Sequence, residues 1–238
     1  MQLTAIADAL SDQLAPLAFA PPVAVVLDPT RYARALHHQY LQRFGQDGPA
    51  GRVLLLGMNP GPWGMAQTGV PFGEVAAVRD WMGLRGQVDQ PPIAHPKVAI
   101  AGLDCWRNEV SGQRLWGWAQ QRFGSPERFF ARYFMHNYCP LCFLEPSGRN
   151  RTPGQLPKVE REALQSVCDA SLAALVAALQ PSLVVGVGEY AAGRAAAVVG
   201  NAVPVGRILH PSPASPAAHK NWQAQAEAQL QALGAPLA

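Results

Sequence analysis

Three polar side chains that could bind a small heterocycle follow short apolar runs in this chain of 238 residues. They are Asn59, Asn137 and His210, and the runs before them are 53–56, 129–135 and 203–209. A proline follows each of them within a few residues, where a strand has to end. Two carboxamides and an imidazole can read the hydrogen-bonding edge of a heterocycle and stabilise negative charge on it. They are poorly suited to phosphoryl transfer, which needs a P-loop lysine or metal-binding acids.

The segment 57–74 after the first run is rich in glycine and proline, so neither a helix nor a strand can continue through it. Open α/β sheets bind their ligands in loops at the carboxyl ends of buried strands. We therefore predict that this segment is an active-site loop.

Hydrophobic periodicity predicts helices that alternate with buried strands. The predicted helices are 31–44, 74–84, 158–179 and 216–233, the strands are 53–56, 129–135, 183–187 and 203–209, and 85–113 is irregular. Strands separated by helices form a mostly parallel sheet. We expect an α/β fold with three α/β/α layers, a central, mostly parallel four-stranded sheet flanked by helices, and a single domain over 1–238. The three polar residues then converge at one edge of that sheet.

Composition limits the classes of protein that fit. Apolar residues make up 49% and charged residues 15%, which excludes a disordered chain. The net charge of +3 permits contact with a polyanion without requiring it. The longest apolar stretch, Ala170–Leu179, is too short to span a bilayer, and the first ten residues carry an acid and no basic lead-in. We expect an intracellular protein without membrane contact.

Four cysteines do not suggest a disulfide framework in a chain of this size. Cys139 and Cys142 have the spacing of metal ligands, and His136 lies just before them. However, Cys168 lies on the apolar face of the predicted helix 158–179, and Cys105 lies in a different context. Buried free cysteines are common and inert. We therefore expect no metal and no cofactor.

Four motifs occur together in this order: 57–61 with 71–74, 136–140, 146–150 and 210–213. On these motifs the chain resembles the single-strand-selective monofunctional uracil-DNA glycosylases, a branch of the uracil-DNA glycosylase superfamily. The resemblance extends from about Arg52 to Trp222. It implies hydrolysis of the bond between a damaged pyrimidine and deoxyribose, after the nucleotide has been flipped out of the stack.

The resemblance also assigns roles to residues. Asn59 would position the attacking water, and His210 would stabilise the departing anionic base. Asn137 would pair with the edge of the pyrimidine, which distinguishes uracil from cytosine. Phe72 would stack on the flipped base, and Met58 and Gly61 would line its pocket. The motifs contain no lysine, which agrees with a monofunctional enzyme that forms no Schiff base.

The sequence departs from the family after His210. Animal members carry an arginine after His-Pro-Ser-Pro, in a segment that wedges into the DNA helix, and this chain has Ala214. We expect weaker activity on duplex than on single strands, because a methyl group cannot fill the gap in a base stack. The residues expected to contact DNA are Ser212, Pro213, Ala214, Ser215, His219 and Lys220.

The sequence is also compatible with two other classes of function. The chain could be a catalytically silent module that binds damaged DNA, or an α/β hydrolase that acts on free nucleosides. Uracil, 5-hydroxymethyluracil and deaminated purines all remain candidate lesions. We expect a monomer whose partner is uracil-containing single-stranded DNA, and the sequence leaves open whether it also acts on double-stranded DNA. The expected location is the cytoplasm at the nucleoid of a bacterium or the nucleus of a eukaryote.

Overall fold

The central sheet of the computed structural model, which describes residues 2–237, contains four parallel strands. The strands along the chain are β1 Val25–Leu27, β2 Val53–Gly57, β3 Tyr133–Asn137, β4 Cys142–Leu144, β5 Asn150–Arg151, β6 Leu183–Val187 and β7 Val205–Ile208. The order in the central sheet is β3-β2-β6-β7, and every neighbouring pair is parallel. β2 and β6 are buried throughout, as expected for a sheet covered on both faces. The predicted fold class is confirmed.

Helices flank this sheet. They are α1 Leu3–Leu14, α2 Pro29–Tyr32, α3 Arg34–Tyr40, α4 Met65–Thr68, α5 Val110–Phe123, α6 Pro126–Phe130, α7 Lys158–Leu179, α8 Glu189–Val199 and α9 Trp222–Ala232. α7 packs against α1 and α8, while α5 packs against α9. The main core contains residues of α1, α3 and α5 to α9, whereas Tyr32 of α2 and Ala66 of α4 lie in a second, smaller cluster. One domain over 1–238 stays a prediction.

A second sheet was not expected from the sequence. β4 pairs antiparallel with β1 and with β5, so this sheet has the order β1-β4-β5. Its strands have two or three residues, which is too short for an alternating pattern to be recognised. It places β5, and with it Asn150, beside the loop that follows β2, where the Asn150 side chain donates a hydrogen bond to the Pro60 carbonyl at 3.0 Å.

The helix α7 has the predicted bounds. Its 22 residues are long and apolar enough to cross a membrane by length and composition alone, a test that a core helix of a soluble protein also passes. Here one face packs in the core, through Leu164, Cys168, Leu172, Leu175 and Leu179.

One predicted strand is displaced. The strand predicted at 129–135 is β3 at Tyr133–Asn137, because Ser125 and Pro126 begin a short helix, α6, that includes Phe129. The Ser125 hydroxyl accepts a hydrogen bond from the Arg128 backbone N–H at 3.4 Å, as in an N-cap. The aromatic residues of the predicted strand therefore belong partly to a helix.

Other predicted helices are interrupted or shorter. The helix predicted at 31–44 breaks at Ala33 and continues from Arg34 into a π-helical turn at Leu41–Gln46. The helix predicted at 74–84 is reduced to a short segment with a π-helical turn at Ala77–Trp81. The last helix begins only at Trp222, after a 3₁₀ turn at Pro216–His219. The region 85–113 is not irregular to its end, because α5 begins at Val110.

Candidate active site

The carboxyl ends of the parallel strands bring the three polar residues together. Gly57 and Asn137 are register partners at the ends of β2 and β3. His210 follows β7, two strands away from β2. A cavity of about 290 Å³ at this edge is lined by all six residues predicted to act on the base, which are Met58, Asn59, Gly61, Phe72, Asn137 and His210. The structure thus places them in one cleft, as expected.

The His210 imidazole is neutral and has a defined tautomer. Burial lowers its pKa from 6.5 to about 4, because the charged form would lose its hydration. The Ser212 backbone N–H donates a hydrogen bond to Nδ1 at 3.0 Å. Nδ1 therefore carries no proton, and Nε2 carries the ring N–H. Gly188, with φ of 95°, leaves room for this ring, since a Cβ there would lie 3.3 Å from the His210 Cβ.

Asn137 is buried at 3% exposure and has unused hydrogen-bonding capacity. Its Oδ1 has no hydrogen-bond partner among the described residues. Its Nδ2 donates only to the Met65 sulfur at 3.2 Å, which is a weak acceptor. An unpaired buried amide costs free energy, so a ligand that offers a donor and an acceptor would be favoured here. A uracil edge, with N3–H beside O4, offers both.

Phe72 forms a wall of the cavity next to His210. Their ring centroids are 5.7 Å apart at an interplanar angle of 41°. Phe72 has φ of 53°, a left-handed conformation that is unusual for a bulky residue and is found at functional sites. Gly57 makes this arrangement possible, since a Cβ there would lie 2.6 Å from Phe72 Cε2 and would overlap Asn137 Oδ1 as well.

Asn59 has its side chain oriented by surrounding loops. Its Nδ2 donates to the carbonyls of Leu141 at 3.3 Å and of Pro60 and Arg151 at 3.5 Å. These long bonds use the amide nitrogen, so Oδ1 is the atom that remains to accept a hydrogen bond from a water in the cavity.

Glu109 is a cavity residue that the sequence analysis missed. It directly precedes α5 and lines the cavity. Its Oε2 is buried and has no hydrogen-bond partner within residues 2–237. Its carboxyl group lies so close to Gly61 that a Cβ on that glycine would be 2.8 Å from Oε1. The same carboxyl group also lies close to Gly64 and Gly112. Burial, and secondarily the Glu74 carboxylate, raises the pKa of Glu109 from 4.5 to about 7. The sequence signal that could have indicated Glu109 is an acidic residue directly before the start of a helix at Val110-Ser111-Gly112.

Polar residues from two other segments of the chain complete the cavity wall. These are Ser111 in the first turn of α5, Asn150 in β5 and Thr152 after it. The sequence motif 146–150 included Asn150 without giving it a role. Thr152 and Ser111 carry no sequence signal that distinguishes them from surface hydroxyls.

The segment expected to contact DNA lies at the cavity rim. Ser212 lines the cavity, and Pro213, Ala214, His219 and Lys220 are exposed, while Ser215 is partly buried. The segment folds on itself, with the Ser215 N–H donating to the Ser212 carbonyl at 3.0 Å and His219 Nε2 bonded to the Pro213 carbonyl at 2.6 Å. The exposed methyl group of Ala214 carries no functional group, and contact of this segment with DNA stays a prediction.

The cysteines form no recognisable metal site in the described part of the chain. No group of three or more His, Cys, Asp or Glu residues there has the arrangement needed to hold an ion. Cys139, Cys142 and Cys168 are buried free thiols, and Cys105 is partly exposed. Burial raises the pKa of Cys142, and a hydrogen bond with Cys139 raises that of Cys168. Cys142 and Cys168 therefore stay protonated at neutral pH and pack as small apolar groups.

Comparison with known proteins identifies the class. The family model of the Uracil DNA glycosylase superfamily matches residues 44–233. The chain therefore belongs to the uracil-DNA glycosylase superfamily.

Curated relatives narrow this assignment to one branch. The chain is 51% identical over 228 residues to the single-strand selective monofunctional uracil DNA glycosylase of Bos taurus, covering 94% of this chain and 83% of that protein. It is also 51% identical over 228 residues to the Rattus norvegicus protein of that name, with 94% and 81% covered. It is thus a member of the single-strand-selective monofunctional branch, as its motifs indicated.

A solved structure supports the fold. The wild-type SMUG2 of Pedobacter heparinus superposes with a TM-score of 0.66 at 16% identity, covering 96% of this chain and 97% of that one. At this identity the likeness shows the α/β architecture only.

Proposed function

We propose that this protein is a monofunctional DNA glycosylase that hydrolyses the N-glycosidic bond of uracil in DNA. The observation that carries the proposal is the meeting of Asn59, Asn137 and His210 in one cavity at the ends of three parallel strands. The names of the relatives that share half of its sequence support the same activity.

The geometry supports a division of labour within the cavity. Phe72 stacks on the flipped base, while Asn137 pairs with its N3–H and O4. Asn59 Oδ1 holds the water that attacks the sugar carbon; a carboxamide is too weak a base to remove its proton, so its contribution is positioning. His210 donates its Nε2–H to a ring carbonyl oxygen as negative charge develops on the departing base. This donor is neutral because of its lowered pKa.

Three further properties belong to the proposal. Within residues 2–237 the cavity lining includes no lysine, so no Schiff base would form and the abasic site would remain as product. Gly61 contributes no side chain to the wall, and Met58 contributes a flexible one, which favours tolerance of a 5-substituent such as hydroxymethyl. The substrate is DNA, and single strands are preferred because unstacking a duplex costs a few kcal/mol.

The test measures base release from an oligonucleotide of about 25 nucleotides with one deoxyuridine, under single-turnover conditions with the enzyme in excess. We expect free uracil and an abasic strand that breaks only after alkali. Free deoxyuridine serves as the second substrate, and we expect no turnover of it, because contacts to flanking phosphates drive flipping and distortion.

The outcomes separate the alternatives. Binding of the uracil oligonucleotide without base release would indicate a silent damage-binding module. Efficient hydrolysis of free deoxyuridine would indicate a nucleoside hydrolase. Strand cleavage without alkali would contradict the monofunctional assignment.

A further inference from the structure

One large aromatic side chain is almost fully exposed beside the cavity. Trp106, in the loop before α5, is 83% exposed. An indole combines a large apolar surface with a polar N–H group, and tryptophan is enriched at binding interfaces.

Trp106 belongs to a cluster with an arginine and a second indole. The Arg107 guanidinium carbon lies 4.3 Å from the ring centroid of Trp63 and 5.4 Å from that of Trp106. Both distances are in the range of cation–π contacts. Arg107 is exposed and takes part in none of the ion pairs formed within residues 2–237. We call these three residues the tryptophan–arginine cluster.

The cluster borders the cavity through both of its chain segments. Trp63 is two residues after Gly61, and Arg107 is two residues before Glu109. Gly61 and Glu109 both line the cavity and lie next to each other there, since a Cβ on Gly61 would be 2.8 Å from Glu109 Oε1. Two residues of chain span on the order of 7 Å. A nucleotide next to one seated in the cavity would therefore lie within reach of the cluster.

The chemistry of the cluster matches unpaired nucleic-acid bases. Aromatic side chains stack on bases of any sequence, and arginine adds a cation–π contact and attraction to phosphate. In duplex DNA the neighbouring bases are stacked on one another and are not free to accept an indole. The cluster therefore fits single-stranded DNA.

Resting on the proposed function, we propose that Trp63, Trp106 and Arg107 form a stacking site for a base adjacent to the flipped nucleotide in single-stranded DNA. In this arrangement the exposed face of Trp106 covers the base and Arg107 also attracts the neighbouring phosphate. The site holds the strand next to the cavity, a function that the methyl group of Ala214 cannot supply.

The test measures the dissociation constant of a single-stranded oligonucleotide with a stable abasic-site analogue, by fluorescence anisotropy. We expect Trp106→Ala to weaken binding about five- to hundredfold, as the loss of one base stack does, and Trp106→Phe to retain most of the affinity. Arg107→Ala should weaken binding and reduce the slope of log K against log salt by about 0.7, the value for one phosphate contact on a single strand. Val159→Ala, at another exposed apolar residue (79%) on α7, is the matched control and should change nothing.

A matched duplex separates this role from general DNA affinity. The effect of Trp106→Ala should be clearly smaller with the complementary strand present. The proposal would be overturned if Trp106→Ala bound the single strand as tightly as the parent. It would also be overturned if the parent self-associated and Trp106→Ala did not, since the cluster would then be an interface between copies of the chain. Failure of the parent to release uracil would instead refute the proposed function, and unchanged thermal unfolding of the variants excludes misfolding.

Discussion

Gly57 offers a sharp test of the cavity geometry, because a single methyl group there would displace two of its walls. In Gly57→Ala the new Cβ would lie 2.6 Å from Phe72 Cε2, whereas ordinary contacts begin at 3.4 Å. It would overlap Asn137 Oδ1 even more closely. Neither neighbour can move freely, since Asn137 lies in β3 and Phe72 is fixed by its left-handed backbone.

The expected loss follows from this overlap. A displacement of about 1 Å in groups that position a substrate costs roughly a hundredfold in rate. We therefore expect uracil release by Gly57→Ala to be about a hundred times slower than by the parent. Overpacking costs about 1–3 kcal/mol of stability, offset by about 0.4–1 kcal/mol from the less flexible unfolded chain, so the protein should still fold.

The assay is single-turnover base release from a single-stranded oligonucleotide, together with urea unfolding. Gly193→Ala in α8 is the matched control, because a Cβ there meets no atom within 4 Å and alanine favours helix. The control should retain full activity and gain up to about 1 kcal/mol of stability. If Gly57→Ala released uracil within twofold of the parent, the packing of Asn137 and Phe72 around the base would be wrong.

Four other substitutions test individual roles. Asn59→Ala should lose most of the base release yet bind abasic DNA like the parent in a titration, because water positioning acts only in the chemical step; weakened product binding would argue against that role. His210→Ala should slow single-turnover release by roughly a hundredfold or more, as loss of an anion-stabilising donor does, and a rate equal to the parent's would show that the imidazole does not act on the base. Asn137→Asp should lose selectivity for uracil over cytosine in competition, because the amide donor becomes an acceptor, and unchanged selectivity would contradict the pairing. Glu109→Gln should increase the free energy of unfolding, and the increase should be up to about 3 kcal/mol larger at pH 8 than at pH 4.5. The reason is that the pKa of Glu109 is raised to about 7 in the folded protein, so its ionisation destabilises the folded state as the pH rises from 4.5 to 7. A stability increase that does not depend on pH would show that this carboxyl group is well solvated.

Local patterns predicted the parts of the fold that carry long, regular signals. The helix α7 and the strands β2 and β6 have the predicted positions. An apolar face that continues over a helix of 22 residues, and continuous apolar runs bounded by glycine or proline, are compatible with few other structures. The displacement of β3 shows the limit of such patterns. A run of aromatic residues fits a strand or a buried helix turn equally well, and the Ser125 N-cap decided for a helix.

Some residues of the site could not be predicted, because contacts between distant segments of the chain place them in the cavity. Glu109 lines the cavity because the loop before α5 packs onto the loop after β2, which are far apart along the chain. Asn150 reaches it through the pairing of β4 with β5, strands too short to be recognised. Side chains such as these acquire a role only from the neighbours that folding gives them.

Local amino-acid order was enough to show which residues follow buried strands, since a glycine or proline near Asn59, Asn137 and His210 ends each strand. It also determined the family, through motifs whose joint occurrence is specific. The folded chain was needed to show that β6 lies between β2 and β7 and that His210 still lies close to Phe72. It alone decided that the imidazole is neutral with its proton on Nε2 and that Glu109 keeps its proton to about pH 7. Charge and tautomer depend on burial and on hydrogen bonds between distant segments, and those exist only after the chain has folded.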